Sequence, residues 1–442
     1  MLRSFRLKML FIGLLLIAAV LWALYAYFLD PQRMARVVEA RIAAAYGGPV
    51  KIGEAHVGLV NSTLQRLEVY EQEPQALPQP WMTVDRVETD LAISRLSRGT
   101  ALPTQLELEG AAITLRLDES GHLLTNLPAP GSRHERLPET QLRNATITLQ
   151  QQGHPDFVVG GVNGTASDDG KTVIVKGAIT DPYWGNWLWG GIWNKETMLV
   201  NFHLHASKQM HVTQAMLEKL PFVPAKVWRE VQCEGDTGAM IEVLHLPTAG
   251  NPRGQFARED MRYEINLRPV ATSVHIPRID LHAEQAHGDI LIAGKVVHLH
   301  NVAGTAAEGK LKTEATLDFN DKPYKMDFLI DAGNINVQKL PRTWGLPVQF
   351  AERVLSGRLF GKADLRLEVL DGKAKTNGEG QGEIRETRLA GIPVSRPVKL
   401  TLQADGKRFH FKISGVPVDM GLKMPRTASP GPAAPSGGAR QP

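Results

Sequence analysis

Residues Gly357 to Gly372 read GRLFGKADLRLEVLDG. Leu359, Ala363, Leu365, Leu367 and Val369 fall on one side of an extended chain, because successive strand side chains point to opposite faces. Asp371-Gly372 then supplies the residue types of a tight hairpin turn. This is a half-buried antiparallel strand. Downstream, RPVKLTLQADGKRFHFKIS at Arg396 to Ser414 repeats the pattern. Val398, Leu400 and Leu402 share a face, Asp405-Gly406 turns the chain, and Phe409, Phe411 and Ile413 follow. Upstream, TQLELEGAAITLRLDESG at Thr104 to Gly121 sets Leu106 and Leu108 on one face. Ile113, Leu115 and Leu117 come after a Gly-Ala break.

From residue 50 onward the period of two dominates, and no regular strand-helix-strand alternation signals a parallel sheet. Helical pattern is brief, around Thr213 to Lys219 and Phe350 to Val354. These two places are related. HVTQAMLEKLP at His211 to Pro221 resembles NVQKLP at Asn336 to Pro341, and Gly-rich strand starts follow at Gly235 and Gly238, then at Gly357 and Gly361. With 41 glycines, many in or beside strands, the sheet is expected to bend repeatedly. The predicted fold is mainly β: an elongated, strongly curved antiparallel sheet forming an apolar groove, with a few short helices. The same apolar faces would also suit a closed core.

Met9 to Leu29 reads MLFIGLLLIAAVLWALYAYFL, without a charge and about the twenty residues needed to span a bilayer. Its length and the bulky Leu24, Tyr25 and Phe28 argue for an uncleaved anchor rather than a signal peptide. Arg3, Arg6 and Lys8 before it balance Arg33, Arg36 and Arg41 after it. Orientation therefore rests on the large body that follows, which puts the N-terminus in the cytoplasm and the body outside. The expected organisation is a tail at 1–8, a transmembrane helix at 9–29, a short helix at 31–46, β regions at 50–210 and 211–424, and a disordered Pro/Gly/Ala-rich tail at 425–442. The helix at 31–46 either caps the first strands or lies at the membrane interface.

Composition is near the globular average, with 43% hydrophobic and 22% charged residues, so a multi-span transporter and a disordered chain are both excluded. The net charge of +4 is spread along the chain, with no basic patch of nucleic-acid type. Cys233 stands alone, which rules out an intramolecular disulfide or a cysteine zinc knuckle. His203-x-His205 and His298-x-His300 read as solvent-facing strand histidines, and the chain is expected to hold no metal or cofactor. No nucleophile elbow, phosphate loop, dinucleotide fingerprint or H-E-x-x-H motif occurs, so no catalytic residue is assigned. DPYWGNWLWGGIW concentrates Trp184, Trp187, Trp189 and Trp193. They either cover one end of the sheet or form an exposed loop that contacts a membrane or partner.

Three segments carry a family resemblance: VKIGEAHVGLVNSTLQRLEVYE at Val50 to Glu71, WMTVDRVETDLAISRL at Trp81 to Leu96, and LELEGAAITLRLDESGHLLTNL at Leu106 to Leu127. Following an anchor and short helix, they resemble the N-terminal region of AsmA-like envelope proteins, whose relatives include TamB. VAGTAAEGKLKTEATLDF, INVQKL and SGRLFGKADLRLEV are similar to the repeated unit of such proteins. Tyr183 to Trp193 does not fit the pattern. The resemblance implies an inner-membrane anchor, a periplasmic body and a role in moving phospholipids or maintaining the outer envelope. Groove walls would be Ile113, Leu115, Leu117, Leu365, Leu367, Val369, Val398, Leu400 and Leu402. The partners expected are membrane phospholipids, with other envelope proteins or a second copy as alternatives. A scaffold acting by strand pairing through an open edge is the rival function.

Overall fold

The computed structural model describes residues 30–414, except 59, 72–78, 92–102, 120–122, 127–135, 198, 222–231, 246–260, 278–280, 294–295, 341–354, 371–372 and 407. The expected anchor at 9–29, the helical stretch Phe350 to Val354, the Asp371-Gly372 turn and the C-terminal tail lie outside the described residues. Among the described residues no helix is long and apolar enough to cross a membrane.

The chain builds one mixed sheet of 22 strands. Helix α1 (Pro31–Tyr46) leads into β1 (Val50–Val57), β2 (Ser62–Val69), β3 (Met82–Thr89), β4 (Gln105–Leu117), β5 (Glu139–Gln151), β6 (Phe157–Asp168), β7 (Thr172–Asp181), β8 (Gly185–Asn194) and β9 (Val200–Ala206). Each pairs with the next. After β10 (Met210–Val212) and the short helix α2 (Gln214–Leu217) come β11 (Gln232–His245), β12 (Met261–Pro269), β13 (Thr272–Ile276), β14 (Leu281–Ala293), β15 (Val296–Ala306), β16 (Gly309–Asp318) and β17 (Tyr324–Asn336). A 3-10 turn at Val337–Lys339 precedes β18 (Leu355–Leu370), β19 (Lys373–Leu389), β20 (Ile392–Pro393), β21 (Val398–Gly406) and β22 (Arg408–Ser414). β9 and β10 both pair with β11, β12 and β13 both bridge β11 to β14, and β20 and β21 both pair with β19. The three short strands thus continue a neighbouring rung past a break.

The sheet is not wholly antiparallel, which corrects one expectation. β4 and β5 run parallel, with Leu108 opposite Leu142 and Ile113 opposite Ile147. The stretch from Leu117 to Glu139 is a long connection, which is what a parallel pair needs and a hairpin does not. Gly110, at φ +65°, sits in the predicted Gly-Ala break. It shifts the alternation so that Leu106 and Leu108 before it, and Ala111 after it, pack into the same cluster.

Local chemistry follows the sequence closely at the helices. Pro31 starts α1 and Gly47, in the left-handed region, ends it with its N–H on the Ala43 carbonyl. α1 packs on β1 and lays Met34, Val38, Ile42 and Tyr46 against the apolar cluster of the first strands, so it caps them, while Val37 is exposed. Tyr46 donates to the Tyr70 carbonyl at 2.8 Å and accepts from the Trp81 indole at 2.8 Å, tying the helix end to the sheet. The two related segments also match in space. Thr213 accepts from the Met216 amide and Asn336 from the Gln338 amide, and each turn buries one apolar side chain, Met216 or Val337. Gly235 and Gly357 both take φ near +150°, and a Cβ on Gly235 would stand 2.6 Å from the Thr272 backbone.

Candidate functional site

One face of the sheet, the inner face, is mainly apolar, but it is covered unequally. At the first end α1 closes it over a packed cluster of Val50, Ile52, Ala55, Leu64, Leu67, Val69, Val84 and Val87. At the other end Val337, Leu355, Ile384, Leu389, Val398 and Leu400 form a second cluster, with Leu340 and Val394 packed against it. Between them the paired apolar residues remain half-buried.

Strand register aligns this middle stretch into ladders. Leu204 on β9 faces Ile241 on β11, then Ile265, Ile292, Val297, Leu317, Met326 and Leu367 follow, each opposite the one before. One step along the strands, Leu267, Ile290, Leu299, Ala315, Phe328 and Leu365 make a second ladder. All of these are half-buried except Ala315, which is buried. Directly opposed side chains of this kind pack against one another along the sheet.

The two faces differ sharply in charge. On β16, β17 and β18 the inner positions Leu311, Thr313, Ala315, Leu317, Met326, Phe328, Ile330, Ala363, Leu365 and Leu367 carry no charge. The alternate positions form ion pairs across the outer face. Arg366 meets Asp327 at 2.6 Å and Lys362 meets Asp331 at 3.3 Å. The hydrogen bond to Asp327 pushes the Arg366 guanidinium above its ordinary value. Water therefore wets one side, while the other offers a continuous apolar strip.

Bulges punctuate this strip. The register slips in β14–β15, β15–β16 and β17–β18, and Gln285, Asn301 and Asn334 take left-handed backbone there. Each bulge bends its strand and strengthens the local twist.

Of the residues singled out from sequence, Leu365, Leu367 and Val369 are half-buried on the strip. Leu402 is half-buried as well, but its neighbours Val398 and Leu400 belong to the second packed cluster, with exposures of 0% and 9%. Ile113 and Leu115 are half-buried beside Ile147 and Leu149 on β5, and Leu117 is buried. Not singled out were the ladder residues of β11 to β17. Their signal was present as alternation in MRYEINLRP and YKMDFLIDAG.

The tryptophans do not form an exposed loop. Trp187, Trp189 and Trp193 stand on β8, which pairs on both sides, with β7 and β9. Trp184 is buried, donates to the Val158 carbonyl at 2.8 Å, and packs on Phe157. Trp189 packs against the first cluster. His203 and His205 are exposed, and the rings of His298 and His300 lie parallel, 5.8 Å apart. Among the described residues no group of three His, Cys, Asp or Glu side chains is placed to hold a metal ion.

No known protein family, curated protein or solved structure matches the chain.

Proposed function

We propose that the half-covered strip is an apolar groove that holds lipid acyl chains, in a membrane-anchored protein of the bacterial envelope that handles phospholipids. One observation carries this reading: the ladder from Leu204 to Leu367 stays half-buried between two clusters that are fully packed. A chain able to bury Ile384 and Val398 completely leaves Ile265, Ile292 and Phe328 open to a ligand. Covering apolar surface is worth about 0.8 kcal/mol per buried methylene, so an acyl chain is a suitable occupant. The charged outer face supports the reading, since it needs no cover.

The uncharged segment at 9–29 and the resemblance to AsmA-like proteins support an envelope setting, in which one end of the groove would lie near a membrane. No covalent chemistry is assigned to the protein. A second reading, a scaffold for envelope proteins, is favoured by β22, whose one pairing among the described residues is with β21.

Mass spectrometry of lipids that co-purify with the protein tests the groove. Phospholipid retained by the wild type and lost from Phe328→Asp and Leu367→Asp supports it. A lipid-free protein that also fails to take up labelled phospholipid overturns it. Crosslinking from β22 that captures a protein partner would favour the scaffold.

A further inference from the structure

We propose that helix α1 lies flat between the sheet and a bilayer, with its exposed face held on anionic headgroups by Arg36 and Arg41. The docking rests on the proposed anchor at 9–29. The helix has two faces. Met34, Val38, Ile42 and Tyr46 pack on the first cluster, while Arg33, Arg36, Val37, Ala40, Arg41 and Ala44 are exposed. At about 3.6 residues per turn, Val37, Ala40 and Ala44 form the middle line of the exposed face. Arg36 and Arg41 flank that line on its two sides.

Charge on this face has one sign. The helix contains a single carboxylate, Glu39, which is half-buried and accepts from the Ile52 amide of β1 at 3.3 Å. The acid thus serves the sheet edge, and the charges left on the exposed face are all arginines. Asp30, just ahead of the helix, stands 3.9 Å from Arg33, and Arg36 and Arg41 lie farther along.

Chain connection selects the occupant. The uncharged run Met9 to Leu29 ends with only Asp30 before Pro31, so α1 starts at the surface of the bilayer that the run enters. An upright helix would carry Arg41 about 15 Å from Pro31, at about 1.5 Å per residue, beyond a Debye length of about 8 Å. A flat helix keeps Arg36 and Arg41 within reach of phosphate groups. Because the anchor already holds the helix there, two charges suffice without any independent affinity for membranes. A second copy meeting the same face would set arginine against arginine. With Val37 the largest apolar side chain on the face, contact stays at headgroup depth.

The experiment reconstitutes the full chain in vesicles, with Cys233→Ser and a fluorophore on Ala44→Cys, in the last turn of α1. Lipid with a nitroxide on its headgroup should quench the label several-fold more in phosphatidylcholine with phosphatidylglycerol than in phosphatidylcholine alone. Lipid with a nitroxide deep in its acyl chain should quench it little in either. Arg36→Gln combined with Arg41→Gln should remove the difference, and Arg36→Lys combined with Arg41→Lys should keep it. High salt should remove it in the unsubstituted helix, which reads the same charge if the glutamine pair misfolds. Extraction at alkaline pH tests the anchor separately. A chain that resists extraction but shows no phosphatidylglycerol-dependent quenching overturns the docking and leaves the anchor standing. Dependence that survives the folded glutamine pair also overturns it. A chain released by alkali overturns the anchor, and the docking with it.

Discussion

Trp189 lies flat against Gly177: a Cβ on Gly177 would come within 2.5 Å of Trp189 Cζ2 and 2.1 Å of the Asn163 carbonyl. Gly164, opposite Gly177 on β6, has the same indole above it, with its Cζ2 2.3 Å from where a Cβ would stand. The paired glycines form the floor on which the ring rests, a device that restores cover to bare strand backbone. Because the Asn163 carbonyl is main chain, it cannot swing aside. Gly177→Val should therefore cost about 1–3 kcal/mol by overpacking. The urea midpoint should fall and the tryptophan emission should shift to the red.

Closed core and open strip should respond differently to substitution. Ile384 is 0% exposed, and Ile384→Ala should cost about 2–5 kcal/mol of stability. Phe328 is half-buried on the strip, so Phe328→Asp should move the unfolding midpoint less while removing bound phospholipid. Equal loss of stability in both, with lipid content unchanged, would mean that the strip is simply core.

The Glu308 carboxylate clips the β15–β16 turn to the segment after β17. Hydrogen bonds from Lys339 at 2.6 Å and Asn336 at 2.8 Å, with Arg358 at 3.5 Å, lower its pKa from the ordinary 4.5 to about 2. A depressed folded value means that the contribution is fully present above the unfolded pKa and is lost as the pH falls towards 2. A carboxyl titration followed by NMR should give Glu308 the low midpoint. Lys339→Met should raise it, and a midpoint near 4.5 in the wild type would refute the clip.

Asp168 and Lys195 form a buried ion pair, with side-chain exposures of 1% and 5%. Burial pushes the Asp168 carboxyl up, but hydrogen bonds from the Leu137 amide, Lys195 and the Gly170 amide outweigh it and hold it below its ordinary value. Asp168→Asn removes one charged acceptor from the buried ammonium, and should cost about 1–3 kcal/mol in chemical denaturation. Lys195→Met should cost less, because two backbone amides still satisfy Asp168.

Cys233 faces Val274 across β11 and β13, and burial pushes its thiol above the ordinary value. Thiolate is the reactive form, so folded protein should react with a disulfide reagent slowly at neutral pH. Unfolding in urea should accelerate the reaction. Cys233 is half-buried, so labelling of the folded chain as fast as that of the unfolded chain would contradict its partial cover.

How much was legible varies by element. The alternation around Leu365 and Leu367 identified a strand and its apolar side, while only the structure showed that the Gly110 break joins Leu106 and Leu108 to the side used by Ala111. The short helix expected at 31–46 is α1, begun at Pro31 and ended by Gly47. The relation of His211–Pro221 to Asn336–Pro341 appeared as two capped turns that each bury one side chain. The parallel pairing of β4 with β5 was missed, because strand direction depends on where the Leu117–Glu139 connection leads and not on alternation. Val398 and Leu367 look alike in sequence but differ in cover, since only Val398 lies under the cluster that includes Leu340 and Val394. Likewise the tryptophans of β8 turned inward and left Leu188 and Ile192 outside, an assignment that needs the sheet's handed faces.

The sequence by itself determined a β-rich body with one apolar side, because a period of two is a local property of the extended chain. It also determined the helix ends and hairpin turns, where single glycines, prolines and capping side chains act on adjacent backbone. Only the tertiary structure decided which apolar residues are sealed and which stay half-open. That choice is made by register and by covering segments distant in the chain, such as α1 over β1 and Val337 beside Ile384. Alternation names the face of a strand, but what lies over that face is a long-range contact.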